Sequence, residues 1–249
     1  MSGHSKWATI KRKKAVTDAR RGKVFTQIIK EITIAAKAGG GDPIGNPRLR
    51  LAIDKAKASN MPADNIKRAV MKGTGELPGV SYEDATYEGY GPGGVALIIE
   101  SVTDNKNRTV SELRHLLERG GGKLGATGSV AWMFHKKGTI RTPKGAMTED
   151  DMLGIVLDAG ADDLRLDGES FEITTSPEAF EGVKKAIEDK RIAIEEAEIH
   201  MIPENLVKVE GPDAEKVLKL MESLEEHDDI QHVYANFDID EKVLATFAS

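Results

Sequence analysis

The hydrophobic period changes once along this 249-residue chain, and that change limits the folds open to it. Before the Pro78-Gly79 pair, apolar residues recur at helical spacing; beyond it, helical stretches alternate with stretches of period two. Val24, Phe25, Ile28, Ile29, Ile32, Ala35 and Ala36 predict a helix with one buried face. Gly39-Gly40-Gly41 ends it, because glycine tolerates the left-handed cap conformation. Leu49, Ile53 and Ala56 predict a second helix, from about Pro47 to Ser59. Pro62 suits the first turn of a third, which carries Ile66, Ala69 and Val70 and stops at Gly73-Thr74-Gly75.

Past the boundary, residues 85–90 and 95–102 read as strands around a turn at 91–94. Val110, Leu113 and Leu117 mark a helix, and Val130, Trp132 and Phe134 alternate as a strand. Residues 139–201 then follow the order strand, helix, strand, strand, helix, strand, with a hairpin signal at Asp167-Gly168. That order is the split βαβ, ferredoxin-like arrangement. The tail adds a strand at 207–209, a helix through Val217, Leu220, Met221 and Leu224, and a strand through Val233, Ala235, Phe237 and Ile239. The expected class is α+β and multidomain. A three-helix domain takes residues 1–77, an α+β domain takes 78–136 plus 205–249, and a ferredoxin-like α+β domain at 137–204 is inserted in it.

Charge divides the chain in the same place. The net charge is −6, but residues 1–72 hold 17 Lys/Arg against 5 Asp/Glu, and the remainder holds 18 against 36. A cationic end on an acidic body points to a polyanionic partner. The density is greatest at Lys6, Lys11, Arg12, Lys13, Lys14, Arg20, Arg21 and Lys23. No apolar stripe organises residues 1–23, so this arm is expected to self-repel until a partner neutralises it. If the helix extends into it, Lys11, Lys14 and Arg21 share one face and Lys13 and Arg20 another. Trp7 has two readings, a base-stacking ring or a plug for the helices. The helices around Met61-Pro62 have helix-turn-helix spacing and offer Asn65, Lys67, Arg68 and Lys72 to a groove, although an ordinary helical hairpin has the same spacing.

Other chemistry finds little support. With no cysteine, disulfides and thiolate metal sites are excluded. Gly89-x-Gly91-x-x-Gly94 and Gly120-x-Gly122-x-x-Gly125 match the dinucleotide fingerprint in letters. A pyrophosphate site needs a strand before the loop and a helix after it, and neither has that context. His227, His232 and their acidic neighbours fit no zinc spacing and read as a solvated acidic turn. No catalytic residue, cofactor or metal is expected, and the chain reads as a non-enzyme. There is no secretory signal or apolar run of membrane length, which points to the cytoplasm and away from a membrane.

Several segments are recognisable together. Gly3-His4-Ser5-Lys6-Trp7, Arg21-Gly22-Lys23, Gly40-Gly41-Asp42-Pro43, Asn46-Pro47-Arg48-Leu49-Arg50 and Asn60-Met61-Pro62 resemble the YebC/PmpR family. So do EGYGPGG at 88–94, TDNKNRT at 103–109 and residues 124–132. The resemblance covers essentially the whole chain, densely to about residue 138. It implies a helical N-terminal domain and two α+β domains. It implies a nucleic-acid-binding regulator of gene expression, first of all a DNA-binding transcriptional regulator. The alternative it carries is a ribosome-associated translation factor that binds ribosomal RNA and relieves stalling. The partners implied are duplex DNA or ribosomal RNA, and with the latter the ribosome. The shared motifs add Arg48 and Arg50 to Lys6, Trp7 and Lys23 as contacts.

Overall fold

The structure is a computed structural model that describes residues 18–145 and 147–248. The chain forms two compact units, Phe134–Glu204 being one and the rest the other. The larger unit begins with α1 (Asp18–Gly39), α2 (Pro47–Ala58) and α3 (Ala63–Gly73). Helix α1 starts earlier than the apolar pattern predicts, because alanine, arginine and lysine extend a helix without needing a buried face. The expectation for residues 1–17 lies outside the described residues.

Ile28, Ile32, Ala35 and Ala36 of α1 form a core with Leu49, Ala52 and Ala56 of α2, Met61, and Ala69 of α3. Asn46 joins the first two helices. Its Oδ1 accepts from Leu49 N–H at the start of α2, and its Nδ2 donates to Ala35 and Gly40 carbonyls at the end of α1. One buried side chain thus satisfies orphan groups at two helix ends.

The chain continues through β1 (Glu83–Tyr90), a 3₁₀ turn at Pro92–Gly94, β2 (Ala96–Thr103), α4 (Lys106–Arg119) and β3 (Lys123–Leu124). A second 3₁₀ turn, Ala131–Met133, occupies the place where the alternation predicts a strand. Trp132 there is 64% exposed, so its spacing from Val130 and Phe134 does not reflect one pleated face.

The smaller unit holds β4 (Phe134–Pro143), α5 (Glu149–Asp158), β5 (Ala161–Asp167), β6 (Ser170–Thr175), α6 (Phe180–Asp189) and β7 (Glu196–Pro203). Its sheet has the order β5-β6-β4-β7 with every pair antiparallel, which is the ferredoxin-like order. Ile140, Phe171 and Ile173 of the sheet pack with Met152, Val156, Phe180, Val183 and Ile187 of the helices, all fully buried.

The chain returns to the larger unit with β8 (Val207–Lys208), α7 (Gly211–Glu225), β9 (Ile230–Ala235), β10 (Phe237–Asp238) and α8 (Glu241–Ala248). Strand β9 completes an antiparallel sheet of order β3-β1-β2-β9, with Leu97 opposite Ala235. Its core sets Val95, Leu97 and Ile99 against Leu113 and Leu117 of α4 and Val217, Leu218 and Met221 of α7. The tail strand is not continuous as its alternation predicts. Asn236 interrupts it: its Oδ1 accepts from Ala96 N–H at 2.7 Å, and its carbonyl accepts from Val207 N–H at 2.7 Å. The chain thereby passes from the larger sheet to the parallel β8/β10 pair.

Candidate nucleic-acid interface

The site residues expected from sequence fall in three settings. Lys6, Trp7, Lys11, Arg12, Lys13 and Lys14 lie outside the described residues. Arg20 and Arg21 belong to the opening turns of α1, with Lys23 half-buried just after them. Arg48 and Arg50 sit on α2, and both are engaged. The Arg48 guanidinium forks twice. Its Nε and Nη2 donate to Glu31 of α1 at 2.7 and 3.1 Å, and its Nη1 and Nη2 donate to Asp84 of β1 at 2.9 Å each. Its hydrogen bonds to Asp84 and then to Glu31 raise its pKa above that of a free guanidinium. Arg50 donates from Nη1 to the Pro43 carbonyl at 3.1 Å.

A different set of cations faces outward. Lys57 near the end of α2 and Lys67, Arg68 and Lys72 of α3 are exposed. None of the four makes an ion pair or side-chain hydrogen bond among the described residues. Arg68 and Lys72 are four residues apart and share a face of α3. Ala69, next to Arg68 in sequence, is buried in the core shared with α1, so packing against α1 fixes the rotation of α3 and with it where the charges point. Asn65, the fourth residue of the helix-turn-helix spacing, is half-buried. Sequence reasoning misses Lys57; its place in the last turn of α2 is the signal that points to it.

The helices are tied to the sheet through Asp229, which is 3% exposed. Its Oδ1 accepts from Lys30 Nζ of α1 at 2.7 Å. Its Oδ2 accepts from Arg108 Nη2 at 2.8 Å, Thr109 Oγ1 at 2.9 Å and Thr103 Oγ1 at 3.0 Å. Burial alone would push this carboxyl up. The donors, Lys30 foremost and then Arg108 and Thr109, overcome burial and hold it well below the usual carboxylate range. Gln27 Nε2 adds a bond to the Ile230 carbonyl at 2.7 Å. The TDNKNRT segment is therefore a carboxylate grip: Thr103, Arg108 and Thr109 hold Asp229, and Asn105 caps α4.

This corrects the reading of residues 225–232 as a solvated turn, since its central acid is buried and fully paired. Glu112, His227 and Asp229 do offer ligand atoms within 4.8 Å of one another. Each is already bonded, however. His227 Nδ1 accepts from Asp229 N–H at 3.1 Å, so its proton sits on Nε2, which donates to Glu112 at 2.8 Å. The three form a hydrogen-bonded chain.

The glycine patterns serve packing. The first joins β1 to β2, and the second leaves α4 and enters β3. A Cβ on Gly122 would lie 2.3 Å from the Tyr90 carbonyl oxygen, so the two loops touch main chain to main chain. Beside them, buried Glu88 accepts from Gly128 N–H with Oε1 and from Val130 and Ala131 N–H with Oε2. Burial opposes its charge, but these amides, Val130 first, hold it below the usual carboxylate range.

Comparison with known proteins adds the context. The model for the TACO1/YebC protein N-terminal domain matches residues 5–76, and that for the TACO1/YebC second and third domain matches residues 82–237. A probable transcriptional regulatory protein of Chlorobaculum parvum is 59% identical over 98% of both chains. One of Dictyoglomus thermophilum, named in the same words, is 56% identical over the full length of both. The crystal structure of a conserved hypothetical protein from Aquifex aeolicus superposes with a TM-score of 0.81 at 45% identity, covering 91% of this chain and 93% of that one. No described helix is long and apolar enough to cross a membrane.

Proposed function

The chain belongs to the TACO1/YebC family, and from that premise we propose that it is a nucleic-acid-binding regulator of gene expression that grips duplex DNA through its helical part. One observation carries the reading. Lys57, Lys67, Arg68 and Lys72 stand exposed, with no acidic partner among the described residues, on a segment where cations outnumber acids 17 to 5. Cations already forked onto carboxylates, as Arg48 is, must break those bonds before they take a phosphate. Free ones displace only counterions, and that release drives binding.

The proposed module is residues 1–77, with residues 78–136 and 205–249 as the body that carries it. The arm residues Lys6, Trp7, Lys11, Arg12, Lys13, Lys14, Arg20, Arg21 and Lys23 are proposed to extend the contact along the phosphate backbone. Arg50 is a secondary contact at most. Such a role needs a binding surface and no catalytic group, and it fits the cytoplasm. The names of the relatives favour the transcriptional side.

The test is fluorescence anisotropy with labelled promoter-derived and scrambled duplexes at about 150 mM salt, where non-specific contacts weaken steeply. The reading expects a tighter complex with a subset of duplexes and its loss on Lys67→Glu, Arg68→Glu and Lys72→Glu together. Equal weak affinity for every duplex, with co-sedimentation of the native protein with ribosomes, would replace DNA by ribosomal RNA as the partner.

A further inference from the structure

We propose that the surface formed by Trp132, Tyr90 and Lys123 is a second nucleic-acid contact, one that takes an unpaired nucleotide with its base stacked on the Trp132 indole. The inference rests on the nucleic-acid reading above and adds to it a place and a strand preference. It starts from an anomaly of burial: Trp132, one of only two tryptophans, is 64% exposed. An indole left in water forgoes a large part of its hydrophobic stabilisation, and exposed aromatics on rigid supports are characteristic of stacking platforms.

The support is rigid. The turn that carries Trp132 is bonded to the buried Glu88 carboxylate through Val130 N–H at 2.7 Å and Ala131 N–H at 2.8 Å. The indole Nε1 donates to the Ser129 carbonyl at 3.2 Å, and the Tyr90 hydroxyl donates to that same oxygen at 3.2 Å. The two aromatic side chains therefore meet at one acceptor, and little side-chain freedom remains to be given up on binding.

Charge and space lie beside them. The Lys123 ammonium rests 5.6 Å from the centroid of the Tyr90 ring, and among the described residues it has no carboxylate partner. Tyr90 and Lys123 line an open cleft of about 290 Å³ whose remaining walls are Gly91, Gly94, Gly121 and Gly122. Walls of glycine present main chain only, so a flat ring can lie close to them. An exposed π-face, a cation with no carboxylate partner among the described residues and an open cleft walled mainly by glycine main chain match the three parts of a nucleotide: base, phosphate and sugar. A base within a duplex keeps its faces covered by its neighbours, so the site selects unpaired strands. An apolar peptide would use the indole but leave Lys123 and the cleft idle.

Trp7→Phe leaves Trp132 as the sole tryptophan, so its emission reports this surface alone. The full-length variant is titrated with end-labelled dodecamers of uridylate and of thymidylate, and with a duplex of equal length, while label anisotropy reports total binding. Quenching of Trp132 in step with the anisotropy rise, for single strands and not for the duplex, is the expected result. Quenching by uridylate, thymidylate or both supports the site and shows whether the ribose hydroxyl matters. Trp132→Ala should weaken single-strand affinity about tenfold and Trp132→Phe much less, since phenylalanine keeps a stacking face. Trp132 is on the surface, and circular dichroism confirms that each variant is folded. If the dodecamers raise anisotropy while Trp132 emission stays constant, this site is wrong and the proposed function stands. If no nucleic acid raises anisotropy with either this variant or the wild type, both fail.

Discussion

Two regions of the larger unit carry cations, and they use them in opposite ways. At the seam between α1 and the sheet, Lys30 and Arg108 are fixed on Asp229, and Arg48 is forked between Glu31 and Asp84. On the outer faces of α2 and α3, Lys57, Lys67, Arg68 and Lys72 are exposed and have no polar partner among the described residues. The residue types are the same and the neighbours differ. Seam cations hold the fold together; outer cations repel one another and gain stability only when an anion arrives. A recognisable motif is therefore no guide to contact. Asn46-Pro47-Arg48-Leu49-Arg50 and Thr103 to Thr109 are memorable strings, yet Asn46, Thr103 and Thr109 are buried, and Arg48 and Arg108 are spent on carboxylates of the same chain.

The sharpest break of the seam is Asp229→Ala. It strands Lys30, 7% exposed, with the Asp228 carbonyl and the Tyr82 ring as its remaining partners. Leaving one member of a buried pair uncompensated costs about 3–5 kcal/mol, to be read from urea denaturation. The same carboxylate predicts a pH dependence. Because the folded state holds it below its ordinary range, its contribution is complete above about pH 4 and falls away progressively as the solution becomes more acidic. The acid side of a plot of Tm against pH should flatten in Asp229→Asn.

Glu88→Gln tests a carboxylate held by amides instead of cations. The amide group keeps one acceptor for three donors, and the destabilisation should be about 1–3 kcal/mol. Arg48→Ala should have the smallest effect. Its side chain is 42% exposed, so solvent screens both forks, and no more than about 1 kcal/mol is expected, with nucleic-acid affinity unchanged. A large drop in affinity at unchanged stability in Arg48→Ala would move that residue from the seam to the contact face.

Much of the fold was legible because packing leaves a period. The helices α1 to α3, the β-α-β-β-α-β order of the smaller unit and the hairpin at Asp167-Gly168 all follow from apolar spacing and turn chemistry. The failures share a cause as well. Val130, Trp132 and Phe134 alternate like a strand, but Glu88, more than forty residues away, folds that segment into a turn. Asn236 looks like an ordinary strand position until Ala96 claims its side chain. Asp229 looks solvated until Lys30, 199 residues distant, reaches it. Polar bonds between remote segments have no period, so they leave no local trace. For the candidate interface, the sequence supplied the charge excess of residues 1–72. Which cations stay free depends on where Glu31, Asp84 and Asp229 end up in space.

The salt dependence of binding tests the division between locked and free cations most directly. Duplex affinity is measured from low to moderate salt for the wild type, for Arg48→Ala, and for Lys57, Lys67, Arg68 and Lys72 all changed to Ala. Removing one phosphate-binding cation should lower the slope of log K against log salt by about one. The account predicts a slope reduced by about three to four in the quadruple variant and unchanged in Arg48→Ala. An unchanged slope in the quadruple variant, or a reduced one in Arg48→Ala, would contradict it.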